Sequence, residues 1–203
     1  MTVSRIARGE MILLAGLLSA CATSPPAQFY TLTPEAYGAA ESIVSTPFAH
    51  SIAVGPVSVP EVVNRPQFVV RDGPNRVVVL ESHRWAEPLK SGIAESVAGY
   101  LSRDLDGARV TPMTQSAANT AQFDVSLDVQ RFDLTVGDAA AIEVVWTIKA
   151  RNGGSAPITG RSNVRESAQT SGDAFDALVA AQVRALATVS REIAQRLAQL
   201  ATN

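Results

Sequence analysis

Side chains able to do covalent or acid–base chemistry are few in this chain: one cysteine, Cys21, and two histidines, His50 and His83, among 203 residues. A thiol with no second thiol in the chain cannot close an internal disulfide, so Cys21 is left to a reactive or modified role. His50 and His83 have no neighbours at the spacing that builds a zinc site. Glu81-Ser82-His83 sets a carboxylate, a hydroxyl and an imidazole side by side. Consecutive residues of a strand point to opposite faces, however, so this triplet does not read as a triad. The chain contains neither a Gly-x-Ser-x-Gly elbow nor a P-loop. No catalytic residue, metal site or cofactor is expected, and Cys21 is the residue whose chemistry needs an account.

Its setting supplies one. Arg5 and Arg8 are followed by a short apolar run from Met11 to Leu18 and then by small residues, the three-part order of an export signal. The run is far shorter than the roughly 20 residues that span a bilayer. It ends at Leu18-Ser19-Ala20-Cys21, which is similar to the lipobox cleaved by lipoprotein signal peptidase: Ser19 and Ala20 fit a narrow cleft, and the Cys21 thiol accepts the acyl chain. Residues 1–20 are thus expected to be removed, and Cys21 to become a lipidated N-terminus. Buried acyl chains contribute about 0.8 kcal/mol per methylene, so an N-terminus carrying more than one chain holds to a membrane stably without crossing it. Ala22 stands where an aspartate commonly retains lipoproteins at the inner membrane, which places the protein on the periplasmic face of the outer membrane.

The remaining composition narrows the partners. The whole chain carries 17 basic and 19 acidic side chains, for a net charge of −2; loss of Arg5, Arg8 and Glu10 leaves 15 against 18, or −3. That balance does not suit a nucleic-acid binder. Residues 21–28, small and proline-bearing, read as a tether, and residues 29–203 as one domain large enough to build a core without disulfides.

The elements that position any site follow from periodicity. Phe29-Tyr30-Thr31-Leu32 reads as a short strand, and 34–47 as a loop. Ser51 to Val59 is a strand interrupted at Gly55-Pro56. Phe68-Val69-Val70 and Val77-Val78-Val79-Leu80 flank Asp72-Gly73-Pro74-Asn75 as a hairpin. Trp85-Ala86-Glu87-Pro88 is expected to open a helix with Leu89, Ile93, Val97, Leu101 and Leu105 on its buried face and Gly107 at its stop. A short strand at Arg109-Val110-Thr111 follows. Phe123, Val125, Leu127 and Val129 alternate, and then the apolar set moves to Phe132, Leu134 and Val136, which predicts a bulge or a change of buried face near Gln130-Arg131. Ile142 to Ala150 is a clean half-buried strand. Residues 157–168, with Arg161, Asn163 and Arg165, read as an edge or a wet face. A long helix begins near Ser171-Gly172-Asp173, with a stripe of Val179, Val183, Leu186, Ile193, Leu197 and Leu200. This order suits a single two-layer α/β (α+β) domain, with a mixed or antiparallel sheet and both helices packed on one face.

Three stretches are more distinctive than pattern: Val57-Ser58-Val59-Pro60-Glu61-Val62-Val63-Asn64-Arg65-Pro66-Gln67, Asn75-Arg76-Val77, and His83-Arg84-Trp85-Ala86-Glu87-Pro88-Leu89. Together with Tyr30-Thr31-Leu32, Arg131-Phe132-Asp133 and Trp146, they resemble the PqiC-type ABC-transport auxiliary lipoproteins over nearly the whole mature chain. The resemblance implies a non-enzymatic periplasmic part of an Mce-type system that moves lipids between the two membranes. Its implied partners are a PqiB-like Mce-domain protein with its ABC transporter complex, and further copies of the chain in a ring. A lipoprotein activator of a periplasmic cell-wall enzyme is the alternative.

Within the shared motif, Pro60, Pro66 and Pro88 fix the backbone. Arg65, Arg76 and Arg84 are positioned to pair with Glu61, Glu81 or Glu87 and fasten the hairpin to the helix start, with Trp85 as a packing anchor. The other reading makes the loop from Glu61 to Gln67, with Arg84 and Trp85, the surface shown to a partner, since Trp and Arg dominate interface hot spots. Sequence leaves the two open.

Overall fold

The hydrophobic runs sort into strands by how many of their faces are covered. The structure, a computed structural model, describes residues 26–34, 48–151, 156–168 and 172–201. The signal, Cys21, most of the tether, nearly all of the 34–47 loop, the Asn152-Gly153-Gly154 turn and Ser171 lie outside the described residues.

The elements are β1 (Gln28–Tyr30), β2 (Ser51–Ser58), β3 (Gln67–Arg71), β4 (Val77–Trp85), α1 (Leu89–Asp104), β5 (Arg109–Pro112), β6 (Phe123–Thr135), β7 (Ala139–Ala150), β8 (Ile158–Ser167) and α2 (Ala174–Ala201). Short 3-10 turns at Glu61–Val63 and Ser116–Thr120 join them. The fold is mixed α+β, with the strands divided between a five-stranded sheet of order β5-β2-β6-β7-β8 and a three-stranded sheet of order β1-β4-β3.

In the larger sheet, β2 runs parallel to both neighbours, while β6, β7 and β8 form an antiparallel meander. Parallel strands covered on both faces are apolar at consecutive positions, and β2 fits that rule: Ile52, Ala53 and Val54 are all fully buried, with Ala53 against Ala118 and Ala121 beside the second 3-10 turn. The β6–β7 register runs from Phe123↔Ala150 to Thr135↔Ala139 and shifts between Val129 and Arg131. One extra residue there keeps Val125, Leu127 and Val129, and then Phe132 and Leu134, on the same buried side. The parity change in the sequence is this bulge.

Both helices pack on one face of the larger sheet, α1 over β2 and β5, α2 over β7 and β8, and against each other. The large apolar side chains that α1 buries are Leu89, Ile93, Val97, Tyr100 and Leu101. Asp173 caps α2 by accepting the N–H groups of Phe175 (2.7 Å) and Asp176 (3.1 Å), satisfying two donors that no helical carbonyl reaches. The buried stripe of α2 centres on Leu178, Leu186, Val189, Ile193 and Leu197, with Val179 and Leu200 at its margins. Among the described residues, no helix is long and apolar enough to cross a membrane.

β8 forms one edge of the larger sheet, as its polar sequence predicts. Its low apolar content has a specific cause. Gly160 sits opposite Trp146, and the indole lies over it, so closely that a Cβ at Gly160 would be 2.1 Å from Trp146 Cζ2. The indole thereby reaches Ser162, donating its N–H to Oγ at 3.0 Å, and Ser162 in turn donates to Glu192 on α2. β7 thus supplies the bulk that β8 lacks. On the opposite face, Arg161 pairs with Glu143, and Arg165 with Asp138.

One boundary differs from the sequence expectation. Trp85 closes β4 instead of opening the helix, and α1 begins at Leu89 after Pro88. The reason is strand pairing. Trp85 N–H donates to Pro66 O (2.7 Å), and Ala86 N–H donates to Tyr30 O (2.8 Å), so the backbone stays extended through Trp85.

Candidate partner-docking groove

The motif segments around residues 60–67 and 83–89 are separated by the β3–β4 hairpin, and pairing of that hairpin brings them together. Asn64, Arg65 and Pro66 from the first segment, with Trp85, Ala86, Glu87, Pro88 and Leu89 from the second, line one open groove of about 390 Å³. Its far rim descends from Pro60, whose carbonyl accepts the Val63 N–H at 3.0 Å to close the 3-10 turn. Asn64 Nδ2 reaches Glu61 Oε2 at 3.5 Å across that turn. At the near end, the Pro88 carbonyl accepts the N–H groups of Ser91 (2.8 Å) and Gly92 (3.1 Å) and starts α1.

Trp85 is the floor, 6% exposed. Its ring packs 4.3 Å from Phe68 and edge-on to Phe132 at 6.0 Å, which joins the small sheet to the end of β6. Beside it, Arg71 of β3 pairs with Asp133 of β6 at 2.8 Å. Trp85 is therefore a core side chain, and a partner would meet the groove walls of Arg65, Pro66, Ala86 and Pro88, all of them exposed.

The three arginines do not fasten hairpin to helix as their spacing suggested. Arg76 pairs with Asp72 at 2.7 Å within the hairpin turn, away from the groove. Arg84 pairs with Glu81 at 3.3 Å, and the same carboxylate accepts Gln67 Nε2 at 3.1 Å. Arg65 has no ion pair or hydrogen bond to its guanidinium among the described residues. Both ion pairs are local in sequence, four and three residues apart, and Arg65 is left exposed.

Glu87 is the second charged group of the groove. Burial, with a smaller contribution from Glu95, pushes its carboxyl above the usual glutamate range. The site thus combines a cation with no partner among the described residues, a carboxylate that is costly to ionise, and apolar surface from Pro66, Pro88 and Leu89.

His83 is likewise occupied. Its Nδ1 lies 2.9 Å from the Tyr30 hydroxyl, and its ring stacks on Phe175 at 3.9 Å. This aromatic cluster with Phe68 ties the small sheet to the start of α2, a role the sequence did not signal because its members are scattered along the chain. Burial, then Asp173 and Asp176, raise the Tyr30 hydroxyl above its ordinary pKa. Among the described residues, no group of three or more His, Cys, Asp or Glu is placed to hold a metal ion.

Comparison with known proteins gives this groove its context. Residues 30–194 match the family model described as the ABC-type transport auxiliary lipoprotein component. No curated protein matches the chain. Among solved structures, an uncharacterized protein is similar with a TM-score of 0.67 at 18% identity, over 85% of this chain and 99% of that one. Protein XCC0632 from Xanthomonas campestris is similar with a TM-score of 0.56 at 20% identity, over 82% of this chain and 92% of its own. At such identities these two neighbours speak for the fold alone, while the family match covers most of the sequence. The chain belongs to the ABC-type transport auxiliary lipoproteins, the PqiC-like family that its motifs resemble.

Proposed function

We propose that the protein is an outer-membrane-anchored periplasmic lipoprotein serving as the non-enzymatic docking subunit of an Mce-type ABC lipid transport system. The acyl chains on Cys21 hold the domain at the membrane, and the groove between the residue 64–66 loop and the start of α1 receives a PqiB-like Mce-domain protein rooted in the inner membrane. Copies arranged as a ring would offer several such grooves to one channel.

The observation that carries this reading is the groove itself. Motif segments that lie apart in sequence converge on one exposed surface whose Arg65 has no partner among the described residues. An exposed charge with nothing to pair with inside its own fold contributes little to stability. At an interface, arginine is among the side chains that contribute most to binding. The lipobox-like Leu18-Ser19-Ala20-Cys21 and the Ala22 that follows support the anchor.

The test is Arg65→Ala in the acylated protein, purified from cells with its associated proteins. We expect an unchanged melting temperature with loss of the co-purified Mce-domain protein. Undiminished recovery of that protein would remove the groove from the mechanism.

A further inference from the structure

The anchor constrains which side of the domain faces the lipid. Pro26 is the first described residue and follows Cys21 by five positions. Whatever path those residues take, they span at most on the order of 18 Å, since an extended chain advances about 3.3–3.6 Å per residue. β1 starts two residues later, so this end of the small sheet is held within reach of the bilayer surface.

β1 presents an apolar side chain there. Successive residues of a strand face opposite ways, and Tyr30 points inward to pack 4.7 Å from Phe68. Phe29 points outward and is 64% exposed, the most exposed large apolar side chain among the described residues. It borders an open groove of about 580 Å³ continued by Pro34, Val179, Ala180 and Val183. An exposed apolar ring held this close to a bilayer gains by burying itself at the headgroup–acyl boundary, as the apolar faces of interfacial segments do.

The charges beside it select the lipid. Asp176 lines the same groove, and Asp173 and Asp176 both act on Tyr30; neither Lys nor Arg lines the groove, and Arg84, which faces Phe29 across the β1–β4 pair, is paired with Glu81. A surface whose net charge is negative is repelled by anionic headgroups and tolerated by zwitterionic ones.

We infer that Phe29 and the adjoining Pro34–Val179 groove form a second membrane contact, which lays the β1 edge on a zwitterionic bilayer surface and fixes the orientation of the domain. The inference rests on acylation of Cys21. With the β1 edge down, the domain has one preferred pose, and a groove elsewhere on its surface is presented to the periplasm in one direction.

The experiment uses the full mature protein carrying Phe29→Trp, bound to phosphatidylcholine–phosphatidylethanolamine vesicles whose acyl chains are brominated near the headgroup. Both native tryptophans are buried, so the difference from wild type reports the introduced indole. Expected are a shift of its emission to shorter wavelength and a loss of intensity to the bromines, both reduced when phosphatidylglycerol replaces phosphatidylethanolamine. Emission identical to that in water, on protein whose mass shows Cys21 acylated, would overturn the contact and leave the anchor standing. A shift that grows with protein concentration without vesicles would assign Phe29 to a second copy of the chain and overturn the proposal. An unmodified Cys21 in the mass spectrum would sink the anchor reading and this inference with it.

Discussion

Replacing Trp85 by alanine separates the two roles that the shared motif suggested. The indole is 6% exposed and packs on Phe68 and Phe132, so its removal opens a cavity where the two sheets meet. Truncating a buried tryptophan costs about 3–5 kcal/mol, because the transfer free energy is lost and the surroundings collapse only in part. For a domain of this size each kcal/mol moves the melting temperature by about 2–4 °C, so the drop should be roughly 6–20 °C. The assay is thermal unfolding followed by circular dichroism on the soluble Cys21→Ser form. Arg65→Ala, measured beside it, should stay within about 0.5 kcal/mol of wild type, since its guanidinium is exposed and has no partner among the described residues. Trp85→Phe should recover part of the loss. A Trp85→Ala protein that melts within about 2 °C of wild type would refute the argument that this side chain joins the sheets.

Two further substitutions probe separate parts of the fold. Gly160→Ala places a Cβ 2.1 Å from Trp146 Cζ2 and should destabilise by about 1–3 kcal/mol or more. Combining it with Trp146→Phe should give less than the sum of the single losses, measured as a double-mutant cycle by urea unfolding. Because burial and Glu95 raise the Glu87 pKa, the folded state holds this proton more tightly than the unfolded chain. Stability from that proton is present below the ordinary glutamate value and is lost as pH rises through the raised one. Glu87→Gln should therefore lessen the fall in melting temperature as pH rises above the ordinary glutamate range, and an unchanged pH profile would contradict the assignment.

Local features were legible where one periodicity dominated. The β3–β4 hairpin follows from apolar runs around a Gly-Pro turn, the β6 bulge from its parity change, and the α2 cap from Asp173. Pairings between distant strands were not legible: nothing in Gln28-Phe29-Tyr30 announces that it runs parallel to His83-Arg84-Trp85, nor that β2 takes parallel neighbours on both sides. That ladder is also why Trp85 ends a strand although Pro88 signalled a helix start. Of the motif residues, Arg65, Pro66, Trp85, Glu87 and Pro88 converge on the groove, whereas Pro60, Glu61, Arg76 and Arg84 do not line it. Its electrostatics were legible only in part: Arg84 takes Glu81, one of the carboxylates its spacing offered, but Arg76 takes Asp72 of its own turn, and Arg65 has no partner among the described residues. The exposed Phe29 was hidden for a similar reason, since only the packing of Tyr30 on Phe68 decides which of the two adjacent aromatics points out.

Photo-crosslinking in intact cells tests the central claim most directly, with a photoreactive amino acid in place of Ala86, which is exposed and lines the groove. Mass spectrometry of the trapped species should identify an Mce-domain protein of an ABC lipid transporter, and the adduct should disappear in the Arg65→Ala background. Capture of a peptidoglycan synthase, with no transporter component, would contradict the account and assign the groove to a cell-wall enzyme.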